Sequence, residues 1–274
     1  MSDAVTAFRA LHASGCFVLP NPWDVGSARF LEHAGFKALA TTSSGFAFSR
    51  ALPDEESALS LDAVLAHFRE IAAATALPVN ADFQSGHAHD PDGVAANVAL
   101  CARTGVAGLS IEDATGDKAK PLFGRASAVE RIRAARSAID AGGTKVVLTA
   151  RCEAWLVGDA NPLRTALDRL VAFADAGADC LYAPGVRDPA AIAAIVKAVA
   201  PKPVNVLVSH DTGLSVSRLA ELGVRRISVG SALARVAWGA FMRAARGIAE
   251  TGTFEALAGA ASFAELNALF RKRR

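Results

Sequence analysis

The sequence predicts a parallel (β/α)8 barrel of the TIM type. Three observations carry that reading: eight short apolar runs recur along the chain, amphipathic stretches with helical spacing lie between them, and several of those stretches stop at a glycine just before the next run. With 274 residues, 52% of them apolar, the chain can bury one large core. Residues 1–274 therefore read as a single barrel domain, with 253–274 as a C-terminal helical extension.

The strands fall at Phe17 to Pro20, Ala38 to Thr42, Val79 to Asp82, Gly108 to Glu112, Val146 to Arg151, Cys180 to Ala183, Val204 to Val208 and Arg226 to Val229. Helical periodicity covers Leu61 to Thr75, Pro91 to Thr104, Ser127 to Asp140, Pro162 to Ala176 and Pro189 to Val199. Pro91, Pro162 and Pro189 suit a first helical turn, where the missing N–H has no partner to lose, and Asp90, Asn161 and Asp188 before them are the predicted N-caps. The segments AGF, TGVAG, AGAD and LGVRR each place a glycine where a left-handed cap ends a helix. A doubly wound open sheet is the structural alternative, but no GxGxxG follows the first strand.

Composition narrows the function. Net charge is +2 and the basic excess sits mostly in the last four residues, Arg271 to Arg274, so no basic face points to nucleic acid. The four cysteines are widely spaced, with no CxxC pair and no secretory h-region, which fits a reducing cytoplasm. No apolar run approaches the roughly 18 to 20 residues that span a bilayer. A soluble protein with no membrane partner is expected.

In such a barrel, function belongs at the C-terminal ends of the strands. The residues there include Trp23, Asp24, Thr42 to Gly45, Asp82, Gln84, Glu112, Asp113, Arg151, Glu153, Asn205 and the Gly230-Ser231 step. Asp82 and Glu112 each end a buried run, and charges in that position call for a metal ion or an anionic substrate. Mg2+ accepts one or two carboxylates when water and substrate complete its shell, and a 2-oxo acid can chelate it. Arg151 offers a planar fork matched to a carboxylate. The plainer readings are an Arg151–Glu153 ion pair that tidies the barrel mouth, and loop-bonding or helix-capping roles for Asp82 and Glu112.

The order NPWDVGSARFLEHAGF, TTSSG, LPD, PVNADFQSG, GVAGLSIED and TARCEAW, from about Asn21 to Asn205, resembles the isocitrate lyase and phosphoenolpyruvate mutase superfamily. The resemblance implies a Mg2+-dependent (or Mn2+-dependent) barrel that makes or breaks C–C or P–C bonds beside a 2-oxo acid through an enolate-like intermediate. By position it implies that Asp82 binds the metal directly, Glu112 and Gln84 bind it through water, and Asp54 is an acid behind them. It makes Arg151, Glu112 and Asp54 the catalytic group, with Arg151 also on the substrate carboxylate. Thr42, Ser43 and Ser44 become donors to the other end of the substrate, and Asn205 a family amide of the seventh strand. Homodimers or homotetramers are implied too, and the apolar segments Ala232 to Glu250 and FAELNALF are surfaces of the kind that find a partner.

The departures from the family are informative. Gln84 stands where members carry a second acid. The segment Ala114 to Ser127 has no cysteine or histidine, against cleavage of large tricarboxylates, and no asparagine; with Ala40 in place of a tryptophan, this counts against phosphoryl migration. Tyr182-Ala183-Pro184-Gly185 lacks the polar group expected on the sixth strand. The expected function is a carbon–carbon lyase on a small 2-oxo acid, of the oxaloacetate decarboxylase or C–C lyase/hydrolase type. The alternatives are a phosphoenolpyruvate mutase or phosphonopyruvate-type enzyme, and a 2-oxo acid binding barrel with degraded chemistry. A Schiff-base aldolase lacks its strand-tip lysine, since Lys145 begins one strand and Lys202 precedes another. His87 and His89 have zinc-like spacing but no third ligand nearby. Tyr182, His210 and Lys118 remain alternative proton donors, and Lys118 and Lys120 sit in a loop with Gly116 and Gly124 as possible hinges.

Overall fold

The computed structural model describes residues 3–55 and 58–271; residues 272–274 of the basic tail lie outside them. Eight strands form one sheet: β1 Phe17–Leu19, β2 Leu39–Ala40, β3 Val79–Asp82, β4 Gly108–Glu112, β5 Val147–Arg151, β6 Cys180–Tyr182, β7 Val204–Leu207 and β8 Arg226–Ser228. All seven ladders are parallel, in the order β1-β8-β7-β6-β5-β4-β3-β2. The gap between β1 and β2 is closed above the ladders, where Ala40 N donates to Pro20 O at 3.0 Å and Asn21 Nδ2 to Thr41 O at 2.8 Å. Asn21 Oδ1 also accepts from Val229 N and Gly230 N, so this one buried amide ties three strand ends together. The result is a nearly closed (β/α)8 barrel, as the sequence predicts.

The helices are α1 Asp3–Ala13, α2 Val25–His33, α3 Ser43–Ser49, α4 Leu61–Ala74, α5 Pro91–Ala102, α6 Arg125–Ala141, α7 Pro162–Asp175, α8 Pro189–Val199, α9 Val216–Glu221, α10 Ala232–Thr251 and α11 Phe263–Phe270. Asp90 and Asp188 cap α5 and α8 through their side chains. Asn161 does not cap α7. Asp159 instead braces the entry to the helix, its carboxylate accepting from Asn161 N at 2.7 Å and from Thr165 Oγ1 at 3.1 Å. The four predicted cap glycines, Gly35, Gly105, Gly177 and Gly223, all have φ between 87° and 103°, a region that a Cβ penalises.

At the N-terminal end of the barrel α1 acts as a plug. Phe8 is fully buried and lies where Gly108 has no side chain; a Cβ there would come 2.7 Å from the Phe8 ring. Across the barrel the ladder register decides which residues meet. Glu112, Arg151, Tyr182, Asn205 and Arg226 are lateral partners across β4 to β8. Neighbours in register share one face of a sheet, so this row of polar groups lines the barrel interior. Beyond the barrel, α10 carries exposed Val236, Trp238, Phe241 and Met242, and α11 lies against α2, with the Phe270 ring beside Gly26.

Candidate active site

A cavity of about 1190 Å3 opens at the C-terminal ends of the strands. Asp54, Thr42, Ser43, Ser44, Asp82, Gln84, Glu112, Arg151 and Asn205 all border it, whereas Trp23, Asp24, Gly45 and Asp113, also expected at strand tips, do not. His87, His89 and Lys118 border it as well. Neither Lys120 nor His210 does, and His210 is exposed.

Arg151 is the centre of the arrangement. Its Nη1 donates to Asp82 Oδ1 at 2.7 Å, its Nη2 is 3.1 Å from Glu112 Oε2, and its Nε donates to Glu153 Oε1 at 2.9 Å. Three of the five N–H groups of the guanidinium are thus directed at acids. Burial alone would lower the Arg151 pKa, but Glu112, Glu153 and Asp82 overcome it and raise the group well above its usual value. Glu153 responds in the opposite sense: burial pushes its carboxyl up, and Arg151 only partly offsets that. The Glu153–Arg151 ion pair is therefore present as the plainer sequence reading has it, as one arm of a three-acid cluster.

Asp82 is held from its other side by α3. Ser43 N and Ser43 Oγ both donate to Asp82 Oδ2, at 2.9 and 2.8 Å, while Thr41 Oγ1 accepts from Asp82 N. Ser44 Oγ donates to Asp54 Oδ2 at 2.5 Å. Thr42 caps the helix, its Oγ1 accepting from Gly45 N at 3.2 Å. The TTSSG segment thus places a cap and two acid-binding serines in consecutive positions at one helix start. Gly45 makes that seat possible, because a Cβ there would lie 2.6 Å from Thr42 Cγ2 and 3.1 Å from Trp23 Cβ. Gln84 adopts a left-handed φ of 48° and its carbonyl accepts from Glu112 N at 2.9 Å, which lays the loop after β3 against the tip of β4. Asn205 lies deep in the cavity with both amide ends engaged: Nδ2 donates to Ser228 Oγ and Oδ1 accepts from Arg226 Nε, each at 2.9 Å.

The donor chemistry fits a hard divalent cation. Asp82, Glu112 and Glu153 surround one guanidinium, so the cluster carries more carboxylates than cations, and all three acids border the open cavity. No group of three or more His, Cys, Asp or Glu side chains forms a closed metal cage among the described residues. Mg2+ and Mn2+ need no such cage, since water and substrate supply much of their shell. The same absence, with His87 and His89 on the cavity wall, leaves the zinc reading without a ligand set.

Sequence reasoning passed over Arg131 and Arg226 and weighed His87 only as a zinc ligand. Arg131 of α6 is fully buried and fixes the loop after β3, donating to Ala88 O and His89 O at 2.6 Å and to Ser85 O, with Phe123 stacked 4.0 Å away. His87 has a left-handed φ of 52°, and burial lowers its pKa. Arg226 is buried on β8; the signal for it was the pair Arg225-Arg226, because alternation on a barrel strand turns one of two adjacent residues inward. The loop after β4 is a short antiparallel turn in which Ala114 bridges Leu122 and Thr115 N donates to Pro121 O at 3.0 Å. It carries Lys118 to the cavity wall, the one lysine found there among the described residues.

The chain is similar to known proteins in sequence and in fold. A family model described as phosphoenolpyruvate phosphomutase matches residues 8–249. An uncharacterized protein of Mycobacterium tuberculosis is 35% identical over 269 residues, 96% of this chain and 95% of the relative. A Burkholderia cenocepacia structure described provisionally as a lyase/mutase is 48% identical, with a TM-score of 0.93, covering 98% of this chain and 96% of that one. Oxaloacetate acetylhydrolase in complex with oxalate is 27% identical with a TM-score of 0.86, covering 97% and 93%. Phosphonopyruvate hydrolase in complex with oxalate and Mg2+ is 26% identical with a TM-score of 0.85, covering 97% and 94%.

Proposed function

The chain belongs to the phosphoenolpyruvate phosphomutase family, in the superfamily that includes isocitrate lyase, and on that premise we propose that it is a divalent-cation-dependent carbon–carbon lyase acting on a small 2-oxo acid. The observation that carries the proposal is the Arg151 cluster: one guanidinium held by Asp82, Glu112 and Glu153 beside a cavity open to solvent.

Asp82 and Glu112 would hold Mg2+, with Gln84 accepting from a water of its shell and Asp54 behind it. Bound there, the cation supplies Lewis acidity toward the keto oxygen of a 2-oxo acid, the charge sink that C–C cleavage requires. Arg151 would orient the substrate carboxylate through its N–H groups not directed at acids. Ser43 and Ser44, at the start of α3, keep Asp82 and Asp54 aimed, and the helix start adds partial positive charge to that wall. Glu153, inside the cluster, holds the Arg151 fork in plane through Nε.

The substrate is small on this reading because the loop after β4 brings Thr115, Gly116 and Lys118 to the cavity and no thiol. Oxaloacetate, the substrate in the name of a compared enzyme, is the first to assay. Pyruvate release from oxaloacetate should exceed the rate with Mg2+ alone and disappear with chelator. Turnover of phosphonopyruvate instead would favour the P–C bond enzyme, and tight oxo acid binding with no turnover would favour a binding barrel.

A further inference from the structure

Arg226 is a second guanidinium at this cavity, and its surroundings are the opposite of those of Arg151. It is 2% exposed, and its hydrogen bonds run from Nε to Asn205 Oδ1 at 2.9 Å, from Nη2 to Thr149 Oγ1 at 3.0 Å and from Nη1 to His12 Nε2 at 3.3 Å. All three acceptors are uncharged. Burial, reinforced by Arg226, lowers the His12 pKa to about 3, and His12 Nδ1 is 2.7 Å from Phe8 O, so the neutral ring donates there and turns the lone pair of Nε2 to Arg226. Arg226 forms no ion pair among the described residues, whereas Arg151 forms three.

A buried guanidinium cannot escape its desolvation cost by losing a proton, so it calls for a counter-charge. The chain gives Arg226 a rigid mount and no acid. Arg226 borders the cavity together with Ser228 and Tyr182, and two of its five N–H groups are left over from these three bonds. Tyr182, with its phenol pushed up to about 12 by burial, stays a neutral donor and shares a hydrogen bond with Ser228. Thr149 precedes Arg151 by two residues on β5, so the Arg226 head sits roughly 6 to 7 Å below the Arg151 strand position, one barrel layer down. The cavity is therefore acid-rich at its mouth and cationic at its floor.

We infer that Arg226, oriented by Asn205 and flanked by Ser228 and Tyr182, forms an anion subsite at the cavity floor that receives a second carboxylate of the substrate, making the substrate class a short 2-oxo diacid. This rests on the reading of the cavity as a 2-oxo acid site. Electrostatics fixes the direction of binding: the 2-oxo end stays with the cluster at the mouth, and the distal carboxylate descends to Arg226, the one buried cation lining the cavity that forms no ion pair among the described residues, Lys118 and Arg235 being exposed.

Calorimetry at saturating Mg2+ tests it with three stable probes. Malate and lactate differ in their distal carboxylate, and oxalate is too short to reach the floor. The wild type should bind malate about 10- to 100-fold more tightly than lactate, the span of one charge-assisted contact. Arg226→Gln should bring malate to the lactate level while oxalate affinity stays within about twofold, and Arg226→Lys should keep most of the preference. Oxalate binding without a malate preference in the wild type overturns the subsite alone, as does equal loss of malate and oxalate in Arg226→Gln. Failure of the wild type to bind oxalate overturns the 2-oxo acid reading and the subsite with it. If Arg226→Gln does not fold, the wild-type comparison and Arg226→Lys still decide.

Discussion

Acid should weaken this protein through His67, which lies beneath the helix that carries Ser43 and Ser44. His67 of α4 is 4% exposed, stacks on Phe46 of α3 with ring centroids 3.8 Å apart, and its Nε2 has no hydrogen-bond partner among the described residues. Burial lowers its pKa from 6.5 to about 4, Asp24 opposing and Arg50 assisting. Between these values the unfolded chain binds the proton and the folded one does not, so stability falls as pH falls from about 6.5 to about 4. The full difference corresponds to about 3.4 kcal/mol, and at pH 5 the loss is about 2 kcal/mol. His67→Phe keeps a ring against Phe46 and removes the titration. Urea unfolding at pH 8 and pH 5 should show the wild type losing about 2 kcal/mol more than the variant between the two pH values. Equal losses would refute the argument, because every other titrating group is common to both proteins.

Further outcomes follow from single contacts. Arg151→Met leaves Asp82, Glu112 and Glu153 facing one another without their cation, so turnover should be lost and stability should drop by about 3 to 5 kcal/mol, read by thermal melts; adding Mg2+ should recover part of the stability. Gly45→Ala drives a methyl group into Thr42 and Trp23, costing about 1 to 3 kcal/mol, and by shifting α3 it should reduce kcat more than a surface glycine replacement such as Gly247→Ala, which meets nothing within 4 Å. We also propose that the exposed apolar residues of α10 and the segment after Gly252 are covered by another copy of the chain. Truncation after Gly252 should then lower the molar mass seen by light scattering, and an unchanged mass would count against that contact.

The barrel was legible because its signals are local. Apolar runs, proline in first turns and glycine after helices each act over a few residues, and all eight strands fall within the predicted runs. Asn161 misled because residue type and position do not fix where a side chain points: Asn161 stands at the helix start, but its side chain makes no cap hydrogen bond, and Asp159 accepts from its N–H. At the site, residue types at strand tips predicted the gathering of Asp82, Glu112 and Arg151. Their pairing was not legible: that Arg151 spans both acids follows from lateral register across β3, β4 and β5, which no local pattern states. Arg226 stayed hidden for the same reason, since its meaning lies in partners 21 and 77 residues away, Asn205 and Thr149.

The central claim is that the acids around Arg151 hold a divalent cation and, through it, a 2-oxo acid. Its most direct test is the affinity for oxalate, measured by calorimetry with and without Mg2+, in the wild type and in Asp82→Asn. The account predicts that Mg2+ tightens oxalate binding at least tenfold in the wild type and has no effect in the variant. Equal oxalate affinity with and without Mg2+ in the wild type would contradict it.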